Sequence, residues 1–136
     1  MQTVEQFFQT YAKAYINSEP EAFQKLISLP SLLLAGDSKT LLTDTDGLHR
    51  HVLGQVAKYL ALGVATVDFV LQHQLRLSDQ LQFVSLYWRF YDNNNIVMFT
   101  CHTSYTLQSQ QGSWQVVSII TDDEQAAYDR VVKAQV

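Results

Sequence analysis

Few residues in this chain can do proton chemistry, and their spacing limits what that chemistry could be. His73 lies in the stretch VDFVLQHQLRL, residues 67–77, which alternates apolar and polar residues as a half-buried strand does. Val67, Phe69, Leu71, Leu75 and Leu77 share its parity. Parity therefore predicts that His73 points to the apolar, concave side of a sheet, near Trp88 and Tyr105. A neutral imidazole there can act as general acid or base, with a pKa tunable across neutrality. The competing reading is a core histidine bonded to a neighbour, or one whose ring tip reaches solvent at a sheet edge. Metal binding is not expected. His49 and His51 are two apart and diverge on a helix, while Cys101 and His102 are adjacent and point to opposite faces of a strand. There is no HExxH or CxxC spacing, no GxSxG elbow and no glycine-rich phosphate loop, so neither a cofactor nor a serine nucleophile is implied. Cys101 falls on an apolar face, where a buried, inert thiol is the default.

The elements that must position these residues follow from periodicity. Phe7, Phe8, Tyr11, Ala12 and Tyr15 form one stripe of a helix over 3–17. In SEPE, Ser18 can cap a second short helix, with Pro20 in its first turn and Glu21 closing a capping box, and Pro30 ends it. Two apolar runs around Gly36-Asp37-Ser38-Lys39 predict a small hairpin. Leu48, Val52, Val56 and Leu60 mark a third helix, capped by Thr43 or Asp44 and stopped by Gly63. From Thr66 the period changes to two, giving strands at about 66–78, 81–92, 96–109 and 114–121. The turns Asp92-Asn93-Asn94-Asn95 and Gln110-Gln111-Gly112-Ser113 contain residues that accept positive φ. Thr121 and Glu124 suggest a capping box for a C-terminal helix carrying Tyr128, Val131 and Val132 on one side. Helices and strands are segregated, so the class is α+β: a strongly curved antiparallel sheet wrapped around N-terminal helices, a cone with a cavity and a short C-terminal helix.

The bulk properties suit one domain over 1–136. Apolar residues are 47% of the chain and charged ones 16%, enough to bury a core without disulfide or metal. Nine Lys+Arg against 13 Asp+Glu, with the basic residues scattered singly, argue against nucleic acid as a partner. No apolar run approaches the ~20 residues of a membrane span. MQTVEQFFQTY has neither a basic n-region nor an apolar h-region, and with one cysteine the expected location is the cytoplasm.

The order of elements, with FFQTYAKAYINSEPEAFQKLI near the start and SYTLQSQQGSWQVVSI near the end, resembles the nuclear transport factor 2-like superfamily, including its SnoaL-like and ketosteroid-isomerase-like members. The resemblance spans nearly the whole chain and implies a cystatin-like cone, a cavity between sheet and helices, and frequent homodimers through the outer sheet face. It also implies that Tyr11, Tyr15, His73, Trp88, Thr103 and Tyr105 line the cavity. Tyrosine suits that place because it offers a flat apolar face and one hydroxyl, although each ring could equally be core filling. Tyr11 matches the position of the catalytic tyrosine of the ketosteroid isomerases. Their two functional aspartates fall near Ala35 and Thr103, neither acidic, and Asp37 sits at a turn. The correspondence to that catalytic pattern stops at Tyr11, which keeps the place of a hydrogen-bond donor.

Val84, Leu86, Trp88 and Phe90 make one face of their strand, while Phe83, Ser85, Tyr87, Arg89 and Tyr91 make the other. Across the next turn Ile96, Met98, Thr100 and His102 oppose Val97, Phe99, Cys101 and Tyr105. Bulky residues on both faces predict a second copy over the outer one. The expected function is a small-molecule-binding domain for an apolar or aromatic ligand. The alternative is a cofactor-independent acid–base enzyme of isomerase, dehydratase or cyclase type, using His73 and a tyrosine hydroxyl such as that of Tyr11. The absence of an acid on the expected inner faces favours binding: Asp68 projects opposite the apolar set, and Asp122 is assigned to a helix start.

Overall fold

A computed structural model describes residues 2–121 and 123–135, so the helix-start assignment of Asp122 lies outside the described residues. Thr3 caps α1 (Val4–Ile16) through a reciprocal bond with Gln6, and the aromatic stripe of this helix, Phe7, Phe8 and Tyr11, is buried. The second helix is shorter than its capping signals suggest. A 3-10 turn at Pro20–Ala22 runs into the single turn α2 (Phe23–Leu26), and Ser18 adopts φ 53° instead of capping. Pro30 does not end a helix but lies within β1 (Ile27–Ala35). The ladder to its neighbour is interrupted between Ile27 and Leu32, so the missing proline N–H costs no sheet bond there.

The hairpin of β1 with β2 (Ser38–Leu42) forms as its turn signal implies. α3 (Thr45–Leu62) begins where the Asp44 carboxylate accepts from the Gly47 N–H, and it stops at Gly63, φ 96°. Leu60, placed in the core by spacing four, is 60% exposed. The helix advances 3.6 residues per turn, so Tyr59 takes the place after Val56.

The meander β3 (Thr66–Arg76), β4 (Leu81–Tyr91), β5 (Val97–Gln110) and β6 (Ser113–Thr121) lies within two residues of the boundaries read from alternation. Asp92 accepts from the Asn94 and Ile96 N–H groups, and Asn95, Gln111 and Gly112 have positive φ, as the turn chemistry requires. The sheet has the order β2-β1-β6-β5-β4-β3. It is mixed and open, not wholly antiparallel, because β1 and β6 run parallel. Helix α3 and four strands separate these two in sequence, so no hairpin constrains their direction. Register shifts in three ladders of the meander, at Leu71/His73, Phe90/Tyr91 and Thr106/Leu107, bend the strands and give the sheet its curvature. Its concave side carries Val84, Leu86, Phe99, Leu107, Val116 and Ile119 against α1 and α3. The last helix, α4 (Glu124–Gln135), packs on β5. The expected Thr121–Glu124 capping box does not form: Thr121 ends β6 and donates to the Leu34 carbonyl at 3.4 Å.

Candidate functional site

The concave face of β4 and β5 and the apolar stripe of α1 meet over a pocket of about 600 Å³. Alternation on the strands sends Trp88 and Tyr105 inward, and helical spacing sends Tyr11 and Tyr15 to meet them. Tyr11 and Tyr105 are 2% and 3% exposed. Their rings meet edge-on with centroids 5.7 Å apart, and Tyr15 lies 5.4 Å from Tyr11. The Trp88 Nε1–H donates to the Tyr105 hydroxyl at 3.1 Å, and the Tyr11 and Tyr15 rings lie side by side on the pocket wall. Thr103, buried beside Cys101, completes this wall. Burial pushes the three tyrosine hydroxyls and the Cys101 thiol upward, so all four are held neutral. Five of the six residues expected in the cavity therefore line it.

His73 does not. Leu71 pairs with Leu86 and His73 with Ser85, so Gln72 is an extra residue on β3. This bulge resets the alternation: Val67, Phe69 and Leu71 face inward, whereas His73 and Leu75 pair with the outward residues Ser85 and Phe83. His73 is exposed and borders a shallow groove on the outer face with Lys39, His102 and Ser104. It cannot supply acid–base chemistry to the pocket. Val97 likewise pairs with the outward Tyr91, after a bulge at Met98, and is exposed.

The opposite wall holds groups the alternation argument could not reach. On α3, His51, Lys58 and Tyr59 line the pocket, and on α4 Glu124 and Tyr128 do. α4 begins where β6 stops, beside the β5 residues that outrun it. Asp123 turns outward and accepts from the N–H and Nδ1 of His102, at 2.7 and 2.9 Å. Glu124 turns inward and accepts from the Tyr59 hydroxyl. Burial raises the Glu124 carboxyl above the ordinary range, offset by the Tyr59 bond and by Lys58, with Asp123 adding to the rise. Burial, then Lys58, lowers the His51 imidazole. The pocket thus has an acid after all. Its one sequence signal is the first-turn position in TDDEQAAY, which is also where any helix places a solvated glutamate. Asp68 does project away from the pocket, where it accepts from Arg89 at 2.7 and 2.9 Å.

Among the described residues no group of three or more His, Cys, Asp or Glu converges as a metal site would require. No helix among them is long and apolar enough to cross a membrane.

The fold is shared with solved structures of low sequence identity. A cystatin-like domain of unknown function from Nostoc punctiforme is 11% identical over 97% of this chain and 82% of its own, with a TM-score of 0.68. An NTF-2-like protein of unknown function from Shewanella oneidensis MR-1 is 12% identical over 87% and 94%, TM-score 0.66. A ketosteroid isomerase-like protein from Erwinia carotovora atroseptica is 17% identical over 88% and 92%, TM-score 0.63. Among curated proteins, none matches. Residues 2–124 match one family model, which takes in the cone from α1 to the first residue of α4, and the chain accordingly belongs to the NTF2-like family DUF6841.

Proposed function

We propose that this protein is a small-molecule-binding domain whose pocket takes an organic ligand with a largely apolar or aromatic body. The observation that carries the reading is the pocket itself: about 600 Å³, walled on one side by Tyr11, Tyr15, Trp88 and Tyr105 and on the other by a few polar groups. Organic ligand sites combine this size range with an apolar wall and a small number of orienting polar groups. Titration with the neutral aromatic dye N-phenyl-1-naphthylamine, read by dye emission and tryptophan quenching, tests it. Saturable binding at one site per chain is expected, and Ala12→Phe, which fills the pocket from α1, should abolish it with the circular dichroism spectrum unchanged. Absence of saturable binding by the wild type sinks the reading.

Acid–base catalysis is a second reading, supported by Glu124, a carboxyl raised by burial and bonded to Tyr59 inside the pocket. With His73 outside, a proton-transfer role would fall to Glu124. We also propose a homodimer through the outer sheet face. The bulge in β3 adds Leu75, 58% exposed, to a face that already carries Val70, Phe83, Tyr87 and Val97, the last 47% exposed. A second copy is the partner with a matching apolar surface. A cytoplasmic location is proposed because it suits the single, unpaired Cys101.

A further inference from the structure

We infer that the pocket's ligand is a protonated amine, its ammonium group docked on Glu124 and its apolar body laid against Trp88 and Tyr105. The inference rests on the binding reading above and names its ligand class. Four observations carry it. The first is the hydrogen bonding of the carboxylate. It can accept about four hydrogen bonds, yet among the described residues Glu124 accepts one, from Tyr59. The second is the absence, among those residues, of an ion pair to Glu124. Lys58 reaches instead to the Gln125 side chain at 3.4 Å.

The third is the setting. Tyr15, Tyr59 and Tyr128 line the pocket with Glu124, and the carboxylate's charge is felt at the hydroxyls of Tyr11, Tyr15 and Tyr105. Ring faces attract organic cations, more so where water is excluded. The fourth is that the chain already places one ammonium in such surroundings: Lys58 Nζ sits 5.4 Å above the Tyr128 ring. A ligand ammonium would supply both the missing donors and a positive charge in direct contact, which Lys58 does not make, whereas a neutral donor supplies only the first. A carboxylate ligand could be drawn by Arg50 and Lys58 on α3 but would meet Glu124 with like charge.

The test uses three probes with one body: 2-(2-naphthyl)ethylamine, 2-(2-naphthyl)ethanol and 3-(2-naphthyl)propanoate, titrated calorimetrically into the full chain near neutral pH. The amine should bind about tenfold more tightly than the alcohol, the gain of one charge-assisted bond. Glu124→Gln should erase that preference. If this variant does not fold, the wild-type ranking alone decides. A carboxylate that binds best, or an amine equal to the alcohol, overturns the inference and leaves the binding reading standing. Failure of all three probes overturns the inference too, and if N-phenyl-1-naphthylamine also fails to bind, the binding reading falls with it.

Discussion

At Asp123 and Glu124 two adjacent carboxyls have opposite fates. Burial pushes Asp123 up, but the bonds from the His102 side chain and backbone outweigh it and hold this carboxyl below its ordinary range. Its contribution to stability is therefore present above the ordinary carboxylate range and is lost as pH falls through the depressed folded value. Glu124 is raised, so the folded chain holds its proton more tightly than the unfolded chain does. Its ionisation weakens the fold as pH rises from the ordinary carboxylate range through the raised value. Glu124→Gln is expected to remove that downward slope and to leave the protein more stable near neutrality. Urea unfolding from about pH 5 to about pH 8 checks it, and an unchanged slope would show that Glu124 is not the buried carboxyl. Tyr11→Phe removes a hydroxyl on the pocket wall while keeping the ring contacts, and should change stability by less than about 1 kcal/mol, measured by the same method. His73→Leu should leave dye binding in the pocket unaltered, because His73 lies on the other side of the sheet. The tyrosines and Trp88 were legible in sequence because apolar periodicity marks them. Glu124 was not, because a first-turn glutamate looks the same whether it meets water or a buried tyrosine.

Strand positions were legible to within two residues because period two and Asn/Gly turns are local signals. A bulge is not: Gln72 has no residue type that announces it, yet it decides the face of every residue after it. The short α2 is a related failure. Its Ser-Glu-Pro-Glu opening favours a helix, but the Ile27–Ala35 run finds partners on both sides as a strand, and tertiary pairing overrides the local preference. Where a local signal has a single backbone solution it holds. Gly63 at φ 96° ends α3 with open space around its absent side chain. Gly63→Ala should therefore cost roughly 1–2 kcal/mol through backbone strain alone. Thermal denaturation would reveal it, and a neutral effect would mean that the helix can end differently.

The molecule as a whole is an open, curved sheet with one face filled by helices and the other largely bare. The segregated element order made the class legible. The parallel pairing of β1 with β6 was not, since direction depends on how distant segments meet. Tyr87→Glu, in the centre of the bare face, should convert the proposed dimer to monomer by placing a charge in an apolar interface. Sedimentation velocity decides, and a wild type already monomeric at micromolar concentration removes the dimer.

The β1–β6 pairing also dictates an order of assembly. Ser31 donates to the Val116 carbonyl across 85 residues of chain, so the β1–β2 hairpin has only itself to pair with until β6 exists. Closing so long a loop is entropically costly before the contact rewards it, and chains rich in such contacts fold slowly. The meander from β3 to β6, built from neighbouring hairpins, can form first and offer β6 as a template. The hairpin is then expected to be the last part of the sheet to dock and the first to leave. A truncation of Leu33 on β1 should hasten unfolding while leaving the folding rate nearly unchanged.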